Sequence, residues 1–479
     1  MFQDGSTRKT TKKLSITPSL THVTKTQFSP LSTTRSKSTS YARTAVSGGG
    51  SGAGPLRPAG ADSARHADRP TDRAAREDAG SLTMQLFKHG FDGYIANAYP
   101  ADELRPLTCD PLLRDMDVNN VGVNDIHANA SITLIDTLST LPTLYPDAFP
   151  EAVRRVAEEV SFDQDVKVQV FEMTIRAVGA LLSTYQTLSG LPDDPVEQGR
   201  ALGTKHPADV KRYAPRMLDL ATDLATRLLP AFDTPTGLPY ARVNLRTGLL
   251  EGETLETCAG SLVLEFALLS RLTGDKRFES LAHRAFMGLW NRRSDEDLLG
   301  NGISVANGQW LAPLVSGVQA GIDSYFEYAL KAAIMLDDAQ YMDIFYDAYA
   351  AIQTHVRSDD GFFPAEYGAR FPVSAIKAHL VFWNVWQKFS ALPEAWDPSS
   401  RGVAWGGWPG RPEFIESTYY LHRATGDDFY LKVGERVLED ITRRAVTSCG
   451  LASLGNVETG KQENRMESFF LSETLKTGR

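Results

Sequence analysis

The sequence predicts an all-α protein folded as a closed toroid of paired helices, an (α/α) barrel, and three observations predict it. From about Phe87 onward helical periodicity dominates, in segments 167–189, 207–229, 259–273, 277–292, 323–336, 339–356, 376–391, 412–424, 427–445 and 463–476. Tight turns join them. LTGDKRF (272–278) and ATGDDFY (424–430) each end one helix with glycine and open the next with an Asp N-cap. Alternate helices are also too apolar for a surface position. In 167–189, Val170, Ile175, Val178, Leu181, Leu182 and Tyr185 spread over overlapping faces. Helical hairpins of this kind bury their apolar faces by packing side by side, and the very apolar alternate helices favour closure into an inner and an outer ring. Strand signals are short and weak. LPYARVNL (238–245) is the best candidate for a hairpin arm.

The chain divides near residue 80. Residues 1–80 are crowded with Ser, Thr, Arg and Gly, including SGGGSGAG at 47–54, and carry too little apolar surface to offset the entropy of ordering. They read as a disordered basic leader, a composition shared with transit peptides. Residues 81–479 form the folded domain. The leader carries 13 Lys/Arg against 6 Asp/Glu, and the rest of the chain 37 against 53. A body with a net charge of −16 repels phosphates, which argues against a nucleic-acid partner. No stretch reaches the roughly 18 apolar residues that cross a bilayer, and the N-terminus lacks the apolar core of a signal peptide. The three cysteines and the histidine spacing match no zinc site.

Carboxylates inside apolar helices carry the chemistry. Glu172 lies in VFEMTIR, Glu265 in LVLEFALL, Asp323 and Glu327 in GIDSYFEYALK, Glu413 and Glu416 in RPEFIEST, and Glu467 in RMESFFLSETLK. Burying such a group is costly unless something pairs with it. Each acid alone reads as a buried ion pair, and Arg176, four residues after Glu172, makes that pair credible. Seven such acids on at least five helices point further, because a toroid would gather them in one cavity. Clustered carboxylates bind hard cations through oxygen or hydrolyse glycosidic bonds as acid and base.

The residues also resemble a known family. YPADELRPLTCD (99–110), SITLIDTL (131–138), VFEMTIRAVGALLS (170–183), AGIDSYFEYALK (320–331), LPEAW (392–396), GRPEFIESTYYL (410–421), CGLA (449–452) and NRMESFFLSETLK (464–476) look, in that order, like glycoside hydrolase family 47. Within it they resemble the branch of ER degradation-enhancing α-mannosidase-like proteins. The resemblance implies an (α/α)7 barrel that removes α-1,2-linked mannose with inversion, using a Ca²⁺ ion. By matching motif, Glu172 corresponds to the general acid, and Asp323 and Glu413 to the residues that activate water, with Glu413 as base. Glu265, Glu327, Glu394, Glu416 and Glu467 correspond to acids around the sugar and calcium site, and Arg242 and Arg411 to sugar-binding arginines.

The same match implies a Cys109–Cys449 disulfide, high-mannose N-glycans of misfolded glycoproteins as substrate, an ER-lumenal setting and a protein disulfide isomerase as partner. It also implies that the threonine ligand of Ca²⁺ lies beyond residue 479, leaving the barrel incomplete at its C-terminal end. The stretch between Phe371 and Phe382 is shorter than in such relatives by most of an outer helix. A lectin-like protein that binds these glycans without cleaving them is the second reading. Among residues outside the acids, Cys258 reads as a small buried side chain, Asn129 as a glycosylation sequon in a helix, and Trp405 and Trp408 either as sugar-stacking rings or as anchors of a Gly-rich loop.

Overall fold

The computed structural model describes residues 70–117, 119–190, 208–252, 254–312, 314–318, 321–357, 372–397 and 400–478. The body spans Ala67–Arg479 as one compact unit. The leader's first 69 residues, the stretch 358–371 and the Cys258 side chain fall outside the described residues. The first helix, Pro70–Asn97, already runs across position 80.

The helices alternate between two roles. Ala214–Leu228 buries Met217, Leu220, Ala221, Leu224, Ala225 and Leu228, one stripe at helical spacing, with its polar residues turned outward. Phe429–Arg444 does the same with Val433, Val437, Leu438 and Ile441. Their partners, 170–189 and Glu413–Thr425, precede them in sequence and lie inside. The same pairing joins Val263–Thr273 to Arg277–Trp290 and Asp323–Leu336 to Ala339–Ala351. At the turns, Gly274 (φ 79°) and Gly426 (φ 68°) end the inner helices, and Asp275 and Asp427 accept the backbone N–H groups of Arg277 and Phe429. Both Thr-Gly-Asp turns fold as the sequence predicts.

The inner helices form a ring. Ile132–Thr137 packs on 170–189, which packs on Val263–Thr273, and that on Asp323–Leu336; Glu413–Thr425, a further inner helix, is backed by Pro372–Phe389, which precedes it through the hairpin 395–405. The final segment 470–477 touches both Glu413–Thr425 and Ile132–Thr137, so the last inner element meets the first. This is an (α/α) barrel. Because an outer helix returns the chain after each inner one, the inner helices enter from the same end.

Strands are short and gather at that end. Lys167–Gln169 pairs with Arg242–Asn244, and that with Leu250–Glu251, which places the expected arm 238–245 in a three-stranded sheet. Glu103–Arg105 pairs with Asp110–Leu112, Ala395–Asp397 with Gly402–Trp405, and Leu454–Asn456 with Lys461–Gln462. Each hairpin leads into an inner helix. Two expectations change here. Residues 463–467 are not helical: Met466 bridges to Leu104, its N–H donating to Leu104 O at 3.1 Å, and the helix begins only after Glu467. Asn129 is not in a helix either. It is exposed at φ 53°, because buried Asp102 accepts the backbone N–H groups of Asn129, Ala130 and Ile132 and bends the chain there. Among the described residues no helix is long and apolar enough to cross a membrane.

Cys109 and Cys449 are joined, with Cα atoms 5.8 Å apart and 340 positions of sequence between them. The bond ties the hairpin before the first inner helix to the segment before the last. Changing both cysteines to serine is expected to lower the unfolding free energy by about 2–5 kcal/mol in denaturant titrations. An unchanged midpoint and slope would show that the noncovalent contacts of this seam suffice.

Candidate active site

Each inner helix that carries a singled-out acid carries it at its start. Glu172 closes the first turn of 170–189, and Glu265 lies in the first turn of Val263–Thr273. Asp323 opens Asp323–Leu336, with Glu327 one turn further in. Glu413 and Glu416 share the first turn of Glu413–Thr425, and Glu467 immediately precedes the final helix. The acids therefore collect at one end of the ring, where the positive ends of the helix dipoles also point.

The acids lie close enough to feel one another's charge. Glu413 is pushed up to about 7, chiefly by burial, with Arg411 opposing and the charges of Asp323 and Glu416 adding to the shift. Burial likewise raises Asp323 to about 6, with Glu327 and Glu256 reinforcing it and Arg411 opposing. Glu265 rises to about 7 by burial; one oxygen accepts from the Tyr328 hydroxyl at 2.8 Å and the other, Oε2, is buried with no hydrogen-bond partner among the described residues. Glu327 is paired with Lys331. Helix N-termini favour ionised carboxylates by about 0.3–1 kcal/mol, whereas burial can raise a carboxyl by several pH units. Here burial wins.

Two arginines hold the network together. Arg176 is buried, donates to Glu172 Oε2 at 2.8 Å and to Ser468 Oγ at 2.8 Å, and lies within reach of the charges of Glu467 and Asp136. The Ser468 hydroxyl in turn donates to Asp136 Oδ2 at 2.5 Å. The Glu172–Arg176 pair read from the sequence is thus present, as part of a larger set. Arg411 grips Glu394 with two bonds of 2.7 Å and is stabilised as a cation by Glu413 and Glu467 as well. Glu467 is raised by burial and by buried Glu103, against Arg465, which reaches it at 2.9 Å. Arg242 takes a different partner, two bonds of 2.6 and 2.7 Å to Asp125 on the rim, with Glu251 and Glu256 beyond. Glu256, whose charge also reaches Asp323, links it to the carboxylate network.

Sequence reasoning did not single out Asp136 or Glu473. Asp136, inside SITLIDTL, is buried, whereas Glu473, inside FFLSETLK, keeps an exposed face in a crowd of charges. Glu473 reaches about 8, the highest of the set, by burial and by the charges of Asp136, Glu413 and Glu416, with Arg176 opposing. The criterion that found the other acids, a carboxylate within an apolar run, applied to these two as well. Glu473 also sits in a widened π-helical turn, Phe470–Thr474, and a second one, Met173–Val178, follows Glu172 directly. Propensity does not signal such turns.

Trp405 and Trp408 have opposite roles. Trp408 is buried edge-on against Trp386 and Phe470 and anchors its loop, while Trp405 is 65% exposed.

Buried acids with raised values cost stability as they ionise. The folded chain binds more protons than the unfolded chain between about 4.5 and 8, so this cluster weakens the fold as pH rises through that window. Glu265→Gln is expected to raise the melting temperature at pH 8, by about 2–4 °C for each kcal/mol recovered, and to leave it unchanged near pH 4. Thermal scans at both pH values test this; equal effects at the two would refute it.

The family model "Glycosyl hydrolase family 47" matches residues 86–383 and 374–477. The ER degradation-enhancing alpha-mannosidase-like protein 1 of Schizosaccharomyces pombe is 42% identical over 423 residues, which cover 82% of this chain and 52% of that protein. The human ER degradation-enhancing alpha-mannosidase-like proteins 2 and 3 are 40% and 38% identical, covering 82% and 85% of this chain and 68% and 46% of their own lengths. The chain thus spans about half the length of two of these three relatives. In structure it is similar to an alpha-1,2-mannosidase from Trichoderma reesei, with a TM-score of 0.69 at 22% identity over 84% of this chain and 93% of that one, a likeness of fold. The matched motifs, the ring of inner helices and the family model agree: the chain belongs to glycosyl hydrolase family 47.

Proposed function

We propose that the chain is an inverting exo-α-1,2-mannosidase of the ER lumen that trims high-mannose N-glycans of misfolded glycoproteins. The observation that carries this reading is the collection of half-buried carboxylates on the first turns of several inner helices at one end of the ring. An exo-acting glycosidase needs a closed-ended pit that accepts one terminal sugar, and two carboxyl groups on opposite faces of that sugar. Glu172 takes the role of acid, protonating the leaving oxygen. Glu413 takes the role of base, with Asp323 beside it, drawing a proton from the attacking water. Arg411 and Arg176 offset the accumulated negative charge. Glu265, Glu327, Glu394, Glu416 and Glu467 line the sugar, and Arg242 stands at the rim. The Cys109–Cys449 disulfide supports an oxidising compartment.

Calcium enters through family resemblance. Such an ion takes six to eight oxygen ligands, and among the described residues no group of three or more His, Cys, Asp or Glu side chains is arranged to hold a metal. The residues present do not complete a calcium shell, and no step here is routed through the ion.

Incubation with a high-mannose oligosaccharide, followed by proton NMR, is expected to show free mannose appearing first as the β-anomer. Glu413→Gln and Glu172→Gln are each expected to reduce kcat by about 10²–10⁴-fold. With Asp323 near 6 and Glu413 near 7, kcat/KM of the native chain is expected to rise as pH increases through 6–7, as the base ionises. Tight retention of the glycan with no mannose released would favour the lectin-like reading. Release as the α-anomer would overturn the assignment of acid and base.

A further inference from the structure

Trp405 is the one tryptophan of seven that stands mostly in solvent, and its backbone belongs to a paired hairpin. It ends the strand Gly402–Trp405 directly opposite Ala395, the neighbour of Glu394. The two glycines after it are pinned on both sides: Glu394 N donates to Gly407 O at 2.8 Å and Val457 N to Gly406 O at 2.7 Å. Trp408, fixed in the core, exchanges backbone bonds of 2.7 and 2.8 Å with Leu454. A Cβ on Gly407 would stand 3.6 Å from Cγ of Glu394 and 3.7 Å from Nε1 of Trp405, so the indole edge lies beside the root of the Glu394 side chain. Glu394 binds Arg411, and Arg411 shares its charge with Glu413.

A single exposed apolar residue on a protein surface needs no explanation. A rigidly mounted indole two side chains away from the carboxylates is a different object. Pyranose rings present a face of C–H groups, and a tryptophan offers a broad apolar surface at small entropic cost, with an N–H donor at its edge. The position also sets which ring it meets. The terminal sugar would lie among the carboxylates, and Trp405 stands on the rim beyond Glu394 and Arg411, where the remainder of the glycan must emerge.

We propose that Trp405 is a stacking platform for a mannose ring of the substrate glycan outside the pit, on the leaving-group side, and so a determinant of which oligosaccharides are accepted. The proposal rests on the mannosidase reading of the site. It makes Trp405 a binding residue with no part in the proton transfers.

The test is Trp405→Ala and Trp405→Phe against the native chain, with a free high-mannose oligosaccharide and the monosaccharide mannose as probes. Trp405→Ala is expected to raise KM for the oligosaccharide about 10-fold, equivalent to about 1.4 kcal/mol, with kcat unchanged. Trp405→Phe is expected to stay within about 3-fold, and mannose binding in the pit, measured by calorimetry, to be the same in all three proteins. Melting temperatures should coincide, because the side chain is exposed. If Trp405→Ala handles the oligosaccharide as the native chain does, or loses both probes equally, the platform is refuted while the mannosidase reading stands. If the native chain neither binds nor trims the oligosaccharide, the reading of the site falls and the platform with it.

Discussion

Parallel entry of the inner helices is the constraint on which everything else depends. A carboxylate on the first turn of one helix is unremarkable. Placed on the first turns of several helices that start at the same end of a ring, the carboxylates have nowhere to go but toward one another. Burial then sets their chemistry: Glu265, Asp323, Glu413 and Glu473 are all held well above ordinary carboxyl values with burial as the leading cause. The helix dipoles pull the other way and lose, because their effect is small and confined to the first turn. Arg176, buried, and Arg411, half-exposed, keep the concentration of charge tolerable, each serving more than one acid.

That arrangement explains why the outer ring is so regular. Ala214–Leu228 and Phe429–Arg444 are built as plain amphipathic helices whose buried stripes secure the inner elements from behind. One polar exception in the wall is well used: Asp440 takes Arg436, Arg443 and the Trp386 indole N–H together. At the mouth, polar groups remain buried without partners among the described residues, Glu265 Oε2 and Glu467 Oε2 among them. A site kept incompletely satisfied is one prepared to exchange its internal contacts for those of a sugar.

Much of this was readable in the sequence because it is local. Thr-Gly-Asp turns, apolar inner runs and the acids within them follow short-range rules, and the structure places them as those rules expect. What escaped was either tertiary or a matter of where the criterion was applied. Asn129 sits in a stretch of helical texture, but a buried carboxylate from Asp102, 27 positions earlier, reshapes its backbone. Residues 463–467 precede an inner helix with good helix formers, and pairing with Leu104 extends them instead. Asp136 and Glu473 were visible by type; what marks them as members of the cluster is Arg176 and Ser468, which come from other parts of the chain. Nor could spacing decide between Trp405 and Trp408, since only packing separates an anchor from an exposed ring.

The seam between the first and last inner elements has a consequence for biogenesis. Leu104 bridges Met466, and Glu103, fully buried, binds both His127 and Arg465, at 3.1 and 2.8 Å. Until the residues around 465 are present, Glu103 faces water instead of its arginine, and the wall formed by the first inner helix has an open flank. A ring of this kind cannot be finished in instalments as it leaves the ribosome; its most distant contacts form last, and contacts so far apart in sequence are the slow ones to make. The folded body would therefore pass through a prolonged unfinished state.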